Sequence, residues 1–330
     1  MNTSLIDLAK TLLEIKSISP EDKGCFDIVE NYLNPLGFET KRINYLNVEN
    51  LYSTIGSKGP LFCFLGHTDV VPSGPEELWD IDPFKPEVIG DYLIGRGAAD
   101  MKGAVATFLA TAKEFLAENP NPNFRICVFL TSNEEGEPAD GKINKIIKDL
   151  QDAGEHIDYC LVGEASSSLK LADTIRLGRR GSLSGSLIIK GKQGHVAYPD
   201  KVNNPIHLTG KVIDTLKEMT WDEGNEFFQP TSFQVSNIHS GTGATNVVPG
   251  HLEMKFNLRF SSESSEDSLK DKILSVLDRF GIEYEIEWTL NAIPFITKQT
   301  FFKDVVMKSI DSIMGYEPEI NNGGGTSDGR

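Results

Sequence analysis

Two short runs, FRICVFLTS (124–132) and DYCLVGE (158–164), are apolar almost without interruption. A strand with one wet face alternates polar and apolar side chains, so a continuous apolar run needs cover on both faces. A sheet obtains that cover when helices pack above and below it. LYSTIG (51–56) and PLFCFLG (60–66) read as further strands. Helical spacing appears at residues 4–16 and 21–34. From Met101 to about Glu118 a third helix lines Val105, Phe108, Leu109, Ala112, Phe115 and Leu116 along one face, before Asn119-Pro120 stops it. This part of the chain is α/β, a mixed sheet covered by helices.

The pattern changes after Gly181. SLSGSLIIKG alternates as a strand, residues 203–219 repeat as a helix, and TSFQVSNIH and HLEMKFNLRF are strands. Residues 264–281 form another helix before the strand EYEIEWTL (283–290). The order β-α-β-β-α-β is the ferredoxin-like split unit. A length of 330 residues suits about two domains. The expected division is an inserted domain at 181–292 and a host domain made of 1–180 with 293–330. Residues 300–314 read as a last helix, followed by the glycine-rich YEPEINNGGGTSDGR.

Charge and cysteine usage narrow the partners. A net charge of −16 repels phosphate backbones, so no nucleic-acid partner is expected, whereas a small anionic substrate remains open because local arginines can override the field. No run approaches the roughly 20 apolar residues that cross a bilayer, so no membrane association is expected. The stretch MNTSLIDLAKTLLEIKSIS has no basic region ahead of a continuous apolar core, so no secretion signal is expected either. Cys25, Cys63, Cys127 and Cys160 form no CxxC pair, and the last three sit in strand-like runs. Buried free thiols in a cytoplasmic protein are the expectation.

Candidate ligands follow the apolar runs: His67 and Asp69 in GHTD, Glu134 and Glu135 in SNEEG, Glu164 in VGEAS, with Asp100 in RGAADMKG just ahead of a helix. Taken singly, each has a plainer reading: a hydrogen-bonded loop histidine, a helix N-cap aspartate, a solvated acidic turn. Taken together, they repeat one placement after successive buried runs. In open α/β sheets that edge is where functional groups converge. Imidazole nitrogen with carboxylate oxygens suits a borderline divalent ion such as zinc. Of two adjacent glutamates, one can bind the ion while the other serves as general base.

The motifs GHTDVVPSG, GRGAADMKG, TSNEEG, VGEASS, RLGRRGSLSG, KGKQGHVAYP, GTGATNVVPG and NGGGTSDGR, in this order, closely resemble the bacterial succinyl-diaminopimelate desuccinylases. Those enzymes belong to the dizinc amidohydrolase and peptidase family that also holds acetylornithine deacetylase. The resemblance implies a zinc-exopeptidase-like catalytic domain with an inserted ferredoxin-like lid that forms a homodimer. It implies two Zn2+ per subunit, with Co2+ as a possible substitute. His67 and Glu164 would hold one ion, Glu135 the other, and Asp100 would bridge them; Glu134 would be the general base and Asp69 would orient His67. His195 would donate to the oxyanion from the partner's lid. Arg179, Ser182, Asn246, Arg259 and Thr326 match positions that bind the carboxylates of N-succinyl-L,L-2,6-diaminopimelate, and Tyr198 would line the pocket. The products would be succinate and L,L-diaminopimelate, on the way to lysine and peptidoglycan. Arg176 and Arg180 are expected to be plain surface charges.

Departures from the pattern are Ala165 for a usual proline, Asn133 for a common aspartate, and a longer loop at EGEPADGK. The family also continues past TSDGR to a last metal-binding histidine, and this sequence stops first. His156, His207, His239 and His251 do not match that motif. The expectation is therefore one zinc bound well, a second poorly, and reduced activity. The alternatives are a sibling deacylase such as acetylornithine deacetylase, or a non-catalytic fragment.

Overall fold

The computed structural model describes residues 4–136, 142–298, 300–325 and 327–329. The chain divides into two compact units, Met1–Ser166 with Ser327–Gly329, and Ser167–Thr326 with Arg330.

The first unit is built on a five-stranded sheet of β1 (Glu39–Arg42), β2 (Asn50–Ile55), β3 (Leu61–His67), β4 (Arg125–Thr131) and β5 (Tyr159–Val162), in the order β1-β2-β4-β3-β5. β3 runs parallel to both β4 and β5, while β1–β2 and β2–β4 pair antiparallel, so the sheet is mixed. Alternate residues of β4 feed two cores. Ile126, Val128 and Leu130 pack with α1 (Leu5–Leu13), α2 (Cys25–Leu33) and α3 (Lys102–Glu118), whereas Cys127 and Phe129 pack with Ile146 of α4 (Lys142–Asp152). That double cover is why FRICVFLTS has no polar alternation. α3 matches its expected span to one residue.

Two sequence expectations are corrected here. Among the described residues β5 is an edge strand, paired with β3 alone, and its middle residues Cys160 and Leu161 are exposed rather than buried. The other three cysteines are buried, and all four are free. α4 has no counterpart among the expected elements, although Ile143, Ile146, Ile147 and Leu150 fall at i, i+3, i+4 and i+7, and all four pack into the second core.

A buried lysine ties α3 to α1. Lys102 is fully buried, and its ammonium donates to the carbonyls of Leu12 (2.9 Å) and Ile15 (2.7 Å), at and beyond the C-terminal end of α1. Leu12 O also accepts from Ile15 N and Ile15 O from Ser17 N, and a cation is favoured at such a helix C-terminal end. Burial pulls the Lys102 pKa down despite the acids around it.

The second unit contains the β-α-β-β-α-β element, β6 (Gly181–Lys190), α5 (Pro205–Glu218), β7 (Ser232–Ser240), β8 (His251–Phe260), α6 (Glu266–Arg279) and β9 (Tyr284–Ala292). Its antiparallel sheet has the order β7-β8-β6-β9. On β8, Leu252, Met254, Phe256, Leu258 and Phe260 point inward against Val212 and Leu216 of α5 and Leu269 and Ile273 of α6. The intervening His251, Glu253, Lys255, Asn257 and Arg259 form the other face, which is the alternation the sequence shows. α7 (Phe301–Met314) follows, capped by the Thr300 side chain on Lys303 N.

Candidate metal centre

Three parallel strands deliver the site. β3 ends on His67, β4 ends one residue before Ser132-Asn133-Glu134-Glu135, and β5 ends two residues before Glu164. Because these strands run in one direction, their carboxyl ends open on one edge of the sheet. Asp100 reaches the same edge from the segment before α3. Met101, not Asp100, is the N-cap of that helix, and it makes no side-chain capping bond. The N-cap reading of Asp100 therefore does not hold, and its carboxylate is committed to His67 instead.

His67 is the hub. Its Nδ1 lies 2.9 Å from the Asp69 carbonyl oxygen, which can only accept, so Nδ1 carries a proton. Nε2 lies 3.0 Å from Asp100 Oδ1 and 3.6 Å from Glu164 Oε1. A neutral imidazole protonated at Nδ1 presents a lone pair at Nε2, which two carboxylates would repel. The arrangement is favourable only when Nε2 is protonated or a cation sits among these atoms. Burial alone would lower the His67 pKa, but Asp100 first, then Asp69, Glu164 and Glu134, push it up to about 10.

The acids respond in kind. Burial, with Asp328, Glu164 and Glu135 adding repulsion against the attraction of His67, raises the Glu134 pKa to about 8. Glu135 is raised by burial and by Asp100, while the His67 hydrogen bond holds Asp100 below its ordinary value. Arg96, stacked over the Trp79 ring at 5.1 Å, is a further cation acting on Asp100 and Glu135. Two triads, His67–Glu134–Glu164 and His67–Asp100–Glu135, have ligand atoms all within 4.8 Å of one another. A crowd of partly buried carboxylates around one imidazole fits a divalent cation by donor type and by charge.

The Asp69 carboxylate does not touch His67 at hydrogen-bond distance; its Oδ1 is 3.5 Å from Nδ1. It accepts instead from the backbone N–H of Glu134 (3.1 Å) and of Glu135 (3.0 Å). Asp69 thus orients His67 through its carbonyl and the Glu134-Glu135 turn through its carboxylate. Two contributors escaped the sequence reading. Ser19 donates its hydroxyl to Asp69, and Asp328 acts on Glu134 from within the TSDGR motif. Asp328 had a signal, since its motif was in view; Ser19 had none.

The other candidates lie in the second unit. His195 is exposed, and its Nδ1 accepts from Ala197 N at 3.1 Å, which leaves Nε2–H as the ring's donor. The Tyr198 ring meets the His195 ring edge-on at 5.9 Å and is 58% exposed. Val196 N donates to the Asn246 carbonyl at 3.1 Å, which brings Asn246 to the same loop pair. Ser182 pairs with Arg259 across β6 and β8, and Asn257 donates to the Ser182 hydroxyl at 3.0 Å. Arg179 is buried, with Nη1 donating to Gly325 O at 3.0 Å. Arg176 and Arg180 are not plain surface charges. Arg176 donates to the carbonyls of Asn321 and Gly323. Arg180 is part-buried, and burial together with Arg259 lowers its pKa. Thr326 and residues 137–141 of the EGEPADGK loop lie outside the described residues.

His67 sets the pH dependence of the site. In the metal-free chain its raised pKa makes a contribution to stability that is complete below pH about 6.5 and is lost as pH rises through about 10. A metal ion must displace that proton. Zinc or cobalt affinity, measured by equilibrium dialysis, is expected to rise about tenfold per pH unit between pH 6 and 9; a flat profile would contradict the His67 assignment.

Comparisons with known proteins bear on this geometry. Residues 177–285 match the family model described as peptidase dimerisation domain. A succinyl-diaminopimelate desuccinylase of Nitrosomonas eutropha is 47% identical over 330 residues, covering all of this chain and 87% of that protein. One of Methylococcus capsulatus is 48% identical over 325 residues, covering 98% and 86%. Among solved structures, an M20 family metallo-carboxypeptidase of Sulfolobus solfataricus superposes with a TM-score of 0.81 at 19% identity, over 98% of this chain and 87% of that one. A dinuclear metal binding peptidase of the M20 family from Bacillus subtilis superposes with a TM-score of 0.67 at 15% identity, over 98% and 83%. The structural likenesses show the fold, and the curated relatives show the family.

Proposed function

The chain belongs to the succinyl-diaminopimelate desuccinylase family, and on that premise we propose how its residues hydrolyse N-succinyl-L,L-2,6-diaminopimelate to succinate and L,L-diaminopimelate. It is a metal-dependent amidohydrolase serving lysine and peptidoglycan precursor synthesis. The observation that carries the assignment of the site is His67 Nε2, turned toward Asp100 and Glu164 with its other nitrogen already spent on a carbonyl.

His67, Asp100 and Glu164 would hold the first ion, with Glu135 and a shared Asp100 offering a weaker second place. Zinc fits this donor set best, and cobalt accepts the same ligands. Both triads draw on one imidazole, so the second ion is proposed to bind at least ~10-fold more weakly. A divalent ion there supplies Lewis acidity, which polarises the scissile carbonyl and makes water a competent nucleophile at neutral pH.

The chain's own groups do the rest. Glu134 takes the proton of the attacking water and returns it to the leaving amine nitrogen, so that amide and water become carboxylate and amine. Without a cation the Glu134 carboxyl, with its pKa raised to about 8, keeps its proton at neutral pH; a cation beside it brings that value down and frees the carboxylate to accept one. Asp69 fixes where Glu134 and Glu135 stand. His195, with Nε2–H as its donor, is proposed to donate to the oxyanion from a partner subunit, and Tyr198 to line the pocket. Arg179, Ser182, Asn246, Arg259 and Thr326 are proposed to receive the substrate's carboxylates, for which the arginine fork is suited.

The chain carries a peptidase dimerisation domain, and we assign dimer formation to the ferredoxin-like lid at 181–292, the host domain being 1–180 with 293–330. No helix among the described residues is long and apolar enough to cross a membrane; a cytoplasmic enzyme without nucleic-acid partners is the corresponding proposal. A substrate panel tests the reading. With cobalt or zinc present, N-succinyl-L,L-diaminopimelate is expected to be cleaved with a kcat/KM at least about 100-fold above that for N-acetylornithine, because an unmatched carboxylate site rejects the shorter acyl group. Equal or inverted preference would transfer the chain to the sibling deacylases.

A further inference from the structure

Ser19 takes no part in the chemistry above, yet its hydroxyl donates to Asp69 Oδ2. Asp69 is wholly buried, and it touches three parts of the centre: its carbonyl meets His67, and its two carboxylate oxygens hold Glu134 N and Glu135 N. The orientation of that one carboxylate therefore decides where a ligand and the base stand.

The strap that carries Ser19 is itself anchored to the loops around it. Ser19 N donates to Val70 O at 3.2 Å, and Val70 N to Ser17 O at 2.9 Å. The Ser17 hydroxyl donates to Thr68 O at 2.6 Å, and the Thr68 hydroxyl to Asp22 Oδ1 at 3.2 Å. From the next loop the Ser132 hydroxyl donates to Pro20 O at 2.8 Å. Ser17, Thr68, Asp22 and Ser132 are all buried. Together with the Lys102 bonds to Leu12 and Ile15, residues 12–22 are tied to the segments that follow β3 and β4 and to the first residue of α3, two positions after Asp100.

We propose that Ser19 is a positioning residue of the metal centre: its hydroxyl locks the Asp69 carboxylate in the rotation that presents Glu135 as ligand and Glu134 as base. The proposal rests on the reading of this centre as a metal site. Without the hydroxyl, Asp69 keeps two backbone donors but loses the side-chain contact on Oδ2, and the Glu134-Glu135 turn can shift with it. Misplacement of a catalytic group by about 1 Å is enough for a ~100-fold loss of rate.

The test compares Ser19→Ala and Ser19→Thr with the parent chain. Metal-free protein is titrated with cobalt and followed by visible absorption, and kcat and KM are then measured. S19A is expected to bind the cobalt that Glu135 helps to hold roughly 10–100-fold more weakly, with a changed absorption spectrum and a lowered kcat at similar KM. S19T, which keeps the hydroxyl, restores affinity, spectrum and kcat. Parent-like affinity and spectrum in S19A, or a fall in melting temperature alone, would overturn the proposal, as would a folded S19T that fails to rescue. If S19A does not fold, Ser19→Cys, with its weak donor, should give an intermediate affinity; parent-like affinity there overturns it too. The cobalt measurement uses no substrate, so it stands apart from any failure of the desuccinylase reading.

Discussion

Changing His67 to alanine should leave a folded chain that no longer retains a divalent ion and no longer turns over substrate. Both candidate triads use His67, and no other nitrogen donor belongs to either. Loss of a ligand that contacts the ion should exceed the ~10–100-fold penalty of disturbing its supports. Without Lewis acidity worth several kcal/mol, turnover should fall by about 10³ or more. Metal analysis after dialysis, with circular dichroism to confirm folding, reads the first effect, and succinate release reads the second. A His67→Ala chain that keeps its ion would remove His67 from the centre.

Replacing Glu134 by glutamine should lower kcat by about 10²–10⁴, the usual worth of a positioned acid–base group. Glutamine keeps the size of the side chain and the backbone N–H that Asp69 accepts, but it cannot take a proton. The loss should fall on kcat rather than on KM, because substrate binding is assigned to other residues. Glu134 is also a member of one of the two triads, so the structure admits a competing role for it as a ligand. Kinetics alone does not separate the two roles.

Much of this was legible from the residues. The continuous run at 124–132 predicted a strand covered on both faces, and β4 feeds a core on each side. The same argument failed at 158–164, because an apolar run does not reveal whether its strand has one neighbour or two, and among the described residues β5 has one. α4 was overlooked although its isoleucines keep helical spacing; its many lysines and aspartates hid the stripe. In the second unit the simple alternation of β8 made the sheet's two faces readable in advance.

The candidate ligands His67, Glu134, Glu135 and Glu164 were legible because they stand at or just beyond strand ends, a place fixed by topology, and Asp100 because it stands just ahead of α3. Their supports were not. Ser19 reaches Asp69 across 50 positions of sequence, and nothing local to a serine marks such a contact. Asp69 was assigned to orient His67, and the fold adds that its carboxylate serves the Glu134-Glu135 turn. Nothing in the sequence singles out Lys102, whose ammonium is buried on two carbonyls. Hydrogen bonds between distant segments depend on packing, which residue type and spacing do not encode one by one.

The most direct test of the whole account is a zinc or cobalt titration of Glu134→Gln beside the parent chain. If Glu134 moves the proton while His67, Asp100 and Glu164 hold the ion, the variant binds its first ion with an affinity within a few-fold of the parent and is still nearly inactive. If the variant loses the ion in proportion to its activity, Glu134 is a ligand, and the division of labour argued for this centre is wrong.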